Sequence, residues 1–168
     1  RPILCEIESK LVKWLTEEEG FTQVVTPVML PAKMLEKMTI GEDHPLKKQV
    51  FWVDKNKCLR PMLAPNLYDM MRSLQKVWGN PVRIFEVGPC FRKESQGAEH
   101  LNEFTMLNFV ELGGVNDGEQ MDRLRQLAVK AMEAIGFDGY ELVAEESVVY
   151  GETLDIVAGD LEIASGAY

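Results

Sequence analysis

Three stretches of the chain carry apolar residues at steps of three and four, the spacing that gives a helix one apolar face. The first stretch shows the pattern most clearly, with Ile3, Ile7, Leu11 and Trp14. These patterns predict helices at Ile3–Glu19, at Ala64–Val77 and, with Asp117 as N-cap, over a stretch that ends at Ile135. A glycine follows each predicted helix, as expected after a helix C-terminus: Gly20, Gly79 and Gly136.

The other apolar positions fall in short runs, rich in β-branched and aromatic residues and bounded by turn formers, which favours strands. The predicted strands are Phe21–Thr26, Gln49–Val53, Lys57–Pro61, Val82–Val87, Cys90–Glu94, Glu103–Leu112, Tyr140–Ala144, Val148–Tyr150, Leu154–Val157 and Leu161–Ala164. A short helix is expected at Ala32–Met38 and a polar loop at Thr39–Lys48. Because most strands are joined by links of hairpin length, the pattern predicts an α+β fold with helices that flank an antiparallel sheet.

Length, charge and cysteine content narrow the possible functions. The chain has 168 residues, 46% of them hydrophobic, which suits a single domain over residues 1–168. Its formal net charge of −9 argues against a broad basic surface, so any contact with RNA is expected to be local. Three distant cysteines indicate neither a disulfide framework nor a zinc site. Without a membrane-spanning run or a signal segment, the sequence predicts a cytoplasmic protein with no membrane partner.

The stretch from Cys90 to Phe109 mixes polar and apolar groups on one face of a predicted hairpin. Because alternate residues of a strand share a face, Arg92 and Glu94 lie together on the first strand. On the second strand, one face carries an aromatic ring, a thioether, an amide and an aliphatic group: Phe104, Met106, Asn108 and Val110. A structural hairpin more often separates charged from apolar residues, so the mixture favours a ligand site. An exposed ion pair between Arg92 and Glu94 is the alternative.

Four strings of the sequence resemble class II aminoacyl-tRNA synthetases, and within that class the pyrrolysyl type. They are CLRPMLAPNLY at 58–68, RIFEVGPCFRKES at 83–95, EHLNEFTMLNF at 99–109 and VVYGETLDIVAGDLEIASGA at 148–167. The second and third strings resemble motif 2 of the class, an Arg-x-Glu strand, a loop and a returning strand with Phe. KMTIGEDHPL at 37–46 is similar to the bacterial version, in which the tRNA-binding N-terminal part is a separate protein. The resemblance implies the class II catalytic fold.

The resemblance also implies a reaction and its cofactors. The chain is expected to activate pyrrolysine by in-line attack of its carboxylate on the α-phosphate of ATP, and then to charge a pyrrolysine-specific tRNA. Arg92 is expected to hold the phosphate and the carboxylate together, because a guanidinium is a planar, permanently charged fork. The residues implied to bind ATP are Arg92, Glu94, His100, Leu101, Phe104, Glu162 and Ser165. Phe104 is expected to stack on adenine, and Glu162 to bind Mg²⁺ through carboxylate oxygen.

A stripe along the second predicted helix lies at positions i, i+3, i+4 and i+7, and core packing is its ordinary explanation. The resemblance instead implies one wall of a deep pocket for the side chain of pyrrolysine. The implied amino-acid-binding residues are Ala64, Leu67, Tyr68, Met71, Asn108, Val110 and Tyr150. Asn108 is expected to hydrogen-bond the substrate amide, whereas the ammonium of lysine is expected to be left unpaired there. Without the resemblance, the ordinary interpretation of Glu162 is an acidic side chain that water solvates.

Assembly and completeness form the last set of expectations. FTQVVTPVML at 21–30 resembles motif 1 and implies a homodimer, although an ordinary edge strand with Pro27 has the same pattern. The family's third motif, a glycine-rich stretch that ends in Glu-Arg, does not occur before Tyr168. The chain is therefore expected to be truncated and inactive alone. Two other functions stay open, a class II synthetase for another lysine-derived or aromatic amino acid, and a non-catalytic module that binds ATP and an amino acid.

Overall fold

The computed structural model of the chain describes residues 2–38, 44–93, 101–147 and 151–168. It divides into two compact units. Residues 20–112 form the first, which we call the central unit, and residues 1–19 with 113–168 form the second, which we call the split unit.

The helices and strands occupy most of the predicted positions. The α-helices are α1 Ile3–Lys13, α2 Ala32–Glu36, α3 Pro45–Gln49, α4 Ala64–Trp78 and α5 Gln120–Ile135, and a π-helical turn, Trp14–Glu18, continues α1. The strands are β1 Thr22–Gln23, β2 Met29–Pro31, β3 Trp52–Asp54, β4 Lys57–Leu59, β5 Val82–Phe91, β6 Glu103–Leu112, β7 Glu141–Ser147, β8 Gly151–Ala158 and β9 Leu161–Ala167.

The main sheet of the central unit has the strand order β1-β5-β6. Strands β5 and β6 pair antiparallel along their whole length, from Val82 opposite Leu112 to Phe91 opposite Glu103, and β1 pairs parallel with β5. Helix α4 packs on the face that carries Ile84, because its own apolar stripe and the even-numbered strand residues bury each other. This helix and hairpin position the residues of the candidate site.

A second, smaller sheet of the central unit has the order β2-β4-β3 and is antiparallel. Its core consists of four buried residues that β2, α2 and β4 bring together with the end of α3: Leu30, Leu35, Val50 and Cys58. The strand β4 leads directly into α4 through the segment Arg60–Leu63, so this small sheet fixes where the helix begins.

The split unit joins the two ends of the chain. Helix α1 packs against α5, and α5 packs against the antiparallel sheet β7-β8-β9. The carboxylate of Glu19 is buried between two cations of α5, at 2.7 Å from Lys130 Nζ and 3.2 Å from Arg123 Nη2. Because Glu19 follows the π-helical turn directly, this turn and the ion pairs together end the first helix against α5.

Several predicted boundaries were wrong. The expected polar loop at Thr39–Lys48 contains the start of α3, whose N-cap is His44; its Nδ1 accepts a hydrogen bond from Leu46 N–H at 3.1 Å. The strands predicted on either side of Gly88 are one continuous strand, β5. Helix α5 begins after Glu119 rather than after Asp117. The strand predicted at Val148–Tyr150 and part of the loop, residues 39–43, lie outside the described residues.

None of the helices in the described part of the chain has the length and apolar character that a membrane crossing requires.

Candidate functional site

The side chain of Arg92 lies just beyond the end of β5, where two contacts fix its direction. Its Nε donates a hydrogen bond to the carbonyl of Pro61 at 2.9 Å, and its guanidinium carbon lies 5.3 Å from the centroid of the Phe104 ring. Neither Nη nitrogen makes a hydrogen bond within the described residues. The predicted pairing of Arg92 with Phe104 on one face is therefore confirmed. Within the described residues, both Nη groups of the fork, with two N–H donors each, are left for an oxyanion ligand.

Asn108 lies in the middle of β6, on the face covered by α4. It is half-buried, and its direct partner across the ladder is Glu86. Among the described residues its amide makes no side-chain hydrogen bond. A half-buried amide without an internal partner keeps both its donor and its acceptor for a ligand.

Helix α4 presents its predicted stripe to this same face, but the stripe is not uniform. Leu67 is fully buried against Val82, Ile84 and Val110, so it forms part of the hydrophobic core. Tyr68 and Met71 are half-buried at the margin of that core. The structure thus brings Tyr68 and Met71 near the strand face of Asn108, and places Leu67 behind them as support.

The strand face beneath the candidate site contains a buried charge network that the sequence analysis missed. Arg60 Nη1 lies 2.7 Å from Glu86 Oε1, and the two side chains are 2% and 1% exposed. The backbone N–H and the hydroxyl of Thr26 both donate to the carboxylate of Glu86, at 3.0 and 2.6 Å. Asn66 Nδ2 donates to Thr26 Oγ1 at 3.1 Å and to the Pro27 carbonyl at 3.0 Å. The sequence does contain one indication of this network. Glu86 follows Val82 and Ile84 at alternate positions of the strand, so its carboxylate is expected to face the core.

A second group of predicted residues lies in the split unit. Glu162 and Ser165 lie on β9, where Asp155 of β8 is the cross-strand partner of Ser165. Burial raises the pKa of Glu162 above its usual value, and the charges of Asp155 and Glu145 raise it further. Asp155 is 8% exposed, and its buried Oδ1 has no hydrogen-bond partner among the described residues. Unpaired carboxylate oxygens of this kind suit a hard divalent cation, so the residues fit Mg²⁺.

The structure therefore groups the predicted site residues by unit. The central unit holds Ala64, Leu67, Tyr68, Met71, Arg92, Leu101, Phe104, Asn108 and Val110, and the split unit holds Glu162 and Ser165. Leu101 is 71% exposed, and Ala64 and Val110 are buried. Glu94, His100 and Tyr150 lie outside the described residues. No cluster of three or more metal-binding side chains occurs in the described ranges, so a bound cation needs further ligands from its substrate.

Comparisons with known proteins identify the family of this chain and its fold. A family model described as "tRNA synthetases class II core domain (F)" matches residues 3–148. The fold is similar to a crystal structure of pyrrolysyl-tRNA synthetase from Desulfitobacterium hafniense, with 59% identity, a TM-score of 0.90, and coverage of 99% of this chain and 59% of that chain. A second structure of a pyrrolysyl tRNA synthetase from the same organism is 56% identical, with a TM-score of 0.88, and 57% of its length is covered.

More distant relatives are synthetases for other amino acids. The threonine–tRNA ligase of Wolbachia sp. subsp. Brugia malayi is 24% identical, over 92% of this chain and 31% of its own length. The histidine–tRNA ligase of Thermus thermophilus is 28% identical, over 60% of this chain and 25% of its own length. The chain thus spans 59% or less of the length of each of these proteins.

Proposed function

Because this chain belongs to the class II core-domain family of tRNA synthetases, we propose that it activates pyrrolysine with ATP and charges a pyrrolysine-specific tRNA. The observation that carries the proposal is the 59% identity over 99% of the chain to a solved pyrrolysyl-tRNA synthetase. The threonine and histidine relatives are only 24% and 28% identical, so they support the class rather than the substrate. Residues 1–168 are proposed to act as one catalytic domain, since the family match runs through both units.

Arg92 is proposed to bind the α-phosphate of ATP and the carboxylate of the amino acid. Its Nε is held by Pro61 and its two Nη groups have no partner within the described residues, which suits a fork that must grip two oxyanions. The carboxylate oxygen attacks the α-phosphorus, the bond to the β-phosphate oxygen breaks, and pyrophosphate leaves with its electron pair. Positioning and positive charge lower the barrier, and no bond to the protein forms.

Phe104 is proposed to stack on the adenine, and Glu94, His100 and Leu101 to border it. Phe104 is half-buried, and the guanidinium of Arg92 lies over its ring, so the ring and the proposed phosphate-binding fork are neighbours. The exposure of Leu101 agrees with a side chain that a ligand covers. Aromatic side chains and arginine together commonly hold a nucleobase and its phosphate.

Asn108 is proposed to recognise the side-chain amide of pyrrolysine. Asn108 is half-buried and shares its strand face with Met106 and Val110, and its amide donor, which has no side-chain partner among the described residues, matches the amide oxygen of the substrate. Tyr68 and Met71, with Ala64, Leu67, Val110 and Tyr150, are proposed to enclose the long aliphatic part. Among the described residues of this face, the carboxylate of Glu86 is already paired with Arg60 and leaves the ammonium of lysine without an anionic partner, so lysine is expected to bind poorly.

Glu162 is proposed to hold Mg²⁺ through its carboxylate oxygen, and Ser165 is proposed to bind ATP beside it. The cation supplies positive charge to the phosphates of bound ATP. The negative charges of Asp155 and Glu145 beside Glu162 favour a cation there, because no described cationic side chain neutralises Asp155.

The partners proposed for the protein are those that the sequence resemblance implies. They are the pyrrolysine-specific tRNA, a second copy of the chain in a homodimer, and a separate N-terminal tRNA-binding protein, all in the cytoplasm. The short strand β1 is an edge strand of its sheet within the described residues, which leaves the motif 1 segment available to a second copy.

The test is amino-acid-dependent exchange of pyrophosphate into ATP, with the longest natural reading frame that contains this chain. Pyrrolysine, lysine and phenylalanine are offered separately. Exchange with pyrrolysine and none with the other two supports the proposal. Exchange with lysine or phenylalanine instead assigns another substrate, and ATP binding without any exchange indicates a non-catalytic module.

Arg92→Lys, which keeps the charge but not the fork, is expected to reduce exchange about 100-fold or more.

A further inference from the structure

Arg60 is a guanidinium that solvent does not reach, and its burial needs an explanation. Its Nη1 bonds to Glu86 at 2.7 Å and to the carbonyl and hydroxyl of Thr26 at 3.2 Å, while its Nε donates to the Pro89 carbonyl at 2.8 Å. The cost of desolvating two buried charges is comparable with their attraction, so an apolar pair of equal volume stabilises a fold as well or better. Stability alone therefore does not account for the pair.

The backbone carbonyls of Arg60 and Pro61 accept hydrogen bonds from Phe91 and Arg92. The N–H of Phe91 donates to the carbonyl of Arg60 at 2.9 Å, and the Nε of Arg92 donates to the carbonyl of Pro61 at 2.9 Å. The acceptor that orients Arg92 is thus the residue directly after Arg60. Because Pro61 is bonded directly to Arg60, a shift of the Arg60 main chain moves this acceptor.

The strand β5 is shaped to hold the Arg60 guanidinium in one place. A Cβ atom added to Gly88 would lie closer to Arg60 Nη2 than real Cβ contacts allow. The guanidinium therefore lies against the backbone of β5 at the one residue that leaves room for it, between its contacts at Glu86 and Pro89. A charged group with contacts on both sides along a strand has little freedom to shift.

We infer that Arg60, anchored by Glu86, is a positioning residue for Arg92: it fixes the Pro61 carbonyl, which directs the two Nη groups of Arg92 toward their ligand. The inference rests on the role proposed for Arg92 as the group that binds the phosphate and the carboxylate. An arginine suits the task because it bonds through Nε and Nη1 at the same time, whereas a lysine ammonium is a single point charge.

The first test measures the Arg92 side chain itself and does not depend on any activity. The Nε–H NMR signal of Arg92 is assigned by its loss in Arg92→Lys, and its exchange with water is measured. Arg60→Lys and Glu86→Gln are expected to speed this exchange about five- to tenfold, because the bond to Pro61 weakens. Arg83→Lys is the matched control, since Arg83 pairs with Glu111 at the far end of the same hairpin. In this variant the exchange of the Arg92 Nε–H is expected to match the wild type. Unchanged exchange in the folded Arg60 or Glu86 variant overturns the inference.

The second test separates positioning from general stability. Arg60→Lys is expected to lower the kcat of pyrophosphate exchange about 10- to 100-fold, with a much smaller rise in the KM for pyrrolysine, whose carboxylate Arg92 is proposed to bind. The double variant Arg60→Lys/Arg92→Lys is expected to be no slower than Arg92→Lys alone, because the effect of Arg60 acts through Arg92. If the loss of kcat in the double variant equals the product of the losses in the two single variants, the inference is overturned. Absence of exchange in the wild-type longest natural reading frame refutes the proposed function instead, and the NMR comparison still decides the role of Arg60.

Discussion

The guanidinium of Arg92 lies over the ring of Phe104 although the two residues belong to different strands, at 5.3 Å from the ring centroid. The Arg92 N–H donates to the carbonyl of Asn102 at 3.0 Å, so the strand pairing continues beyond β5 and keeps the two side chains on one face. A cation over an aromatic face is attracted to it, and the ring limits the directions that the fork can take. Phe104 thus restrains the Arg92 fork, in addition to its proposed stacking on the base.

Replacement of Phe104 by Leu is expected to raise the KM for ATP about tenfold, because stacking of a base on an aromatic ring contributes about 1–3 kcal/mol. The KM for pyrrolysine is expected to change little. Steady-state pyrophosphate exchange at varied ATP measures both. Thr105→Ala is the control, since Thr105 is exposed on the opposite face of the same strand. An equal effect of the two substitutions contradicts the role of Phe104.

Replacement of Asn108 by Leu keeps the side-chain volume but removes the amide. The KM for pyrrolysine is expected to rise about 10-fold or more, because a buried polar group of the substrate loses its partner. The KM for ATP is expected to stay constant. Met106→Leu, two residues earlier on the same face, is the volume control. A rise in the KM for ATP of similar size points to general damage to the hairpin rather than to substrate recognition.

Gly88→Ala tests how closely Arg60 approaches β5. The new methyl group meets Arg60 Nη2, which the bonds to Glu86 and Pro89 hold in place, so a loss of about 1–3 kcal/mol in the free energy of unfolding is expected. Urea denaturation measures it. In Gly166→Ala the methyl group meets only the end of the Leu124 side chain, which can rotate away, and the loss is expected to be smaller. Equal losses contradict the rigid placement of Arg60.

Glu19 is expected to make the stability of the chain depend on acidity. Burial raises the pKa of Glu19, but the hydrogen bonds and charges of Lys130 and Arg123 outweigh it and hold the pKa below the usual value of 4.5. A carboxylate with a lowered pKa in the folded state contributes stability above about pH 4.5, and this contribution is lost as the pH falls through the folded-state value. Below the pKa values of both the folded and the unfolded state, Glu19 contributes no such stability.

Glu19→Gln is therefore expected to cost about 1–3 kcal/mol at pH 7, and the difference from the wild type is expected to shrink toward pH 3. Urea denaturation at a series of pH values checks this. Glu17→Gln is the matched control, since its pair with Lys13 is exposed and such pairs contribute about 0–1 kcal/mol. A difference that is constant with pH contradicts the role of the Glu19 charge.

The three cysteines are expected to differ sharply in reactivity. Burial raises the pKa of Cys58 to about 11 and that of Cys90 to about 11, whereas Cys5 is exposed. Because the thiolate is the reactive form, only Cys5 is expected to react with a thiol reagent at pH 8 in the folded protein. Titration with a chromogenic disulfide is expected to give one equivalent, and three after denaturation. Rapid reaction of two or more thiols in the native state contradicts the burial of Cys58 or Cys90.

The sequence predicted features that depend on local periodicity. The stripe of α4, the pairing of β5 with β6 and the common face of Arg92 and Phe104 all follow from spacings of 3.6 and 2 residues, and the structure confirms them. The family and the antiparallel fold are confirmed as well. Helix α3 was missed because five residues are too short to show a period, and its start depends on the His44 cap.

The Arg60–Glu86 pair could not be predicted in the same way, since it depends on which strands meet. Arg60 and Glu86 are 26 residues apart, and Thr26 joins them from a third segment. A pattern shows that Glu86 faces the core, but only tertiary structure shows what neutralises it. The sequence also could not divide the chain at Glu19 and Gly113, because that division follows from packing between its two ends.

The split unit has a consequence for synthesis on the ribosome. Helix α1 emerges before the central unit, but its packing partner α5 begins only at Gln120, whereas the central unit between them is contiguous and can fold as soon as it is made. At about 5–20 residues per second, α1 waits roughly 5–20 s for that partner. During this interval Trp14 and Leu15, which are buried in the finished protein, are exposed to chaperones. The first helix of the chain is therefore among the last to reach its final environment.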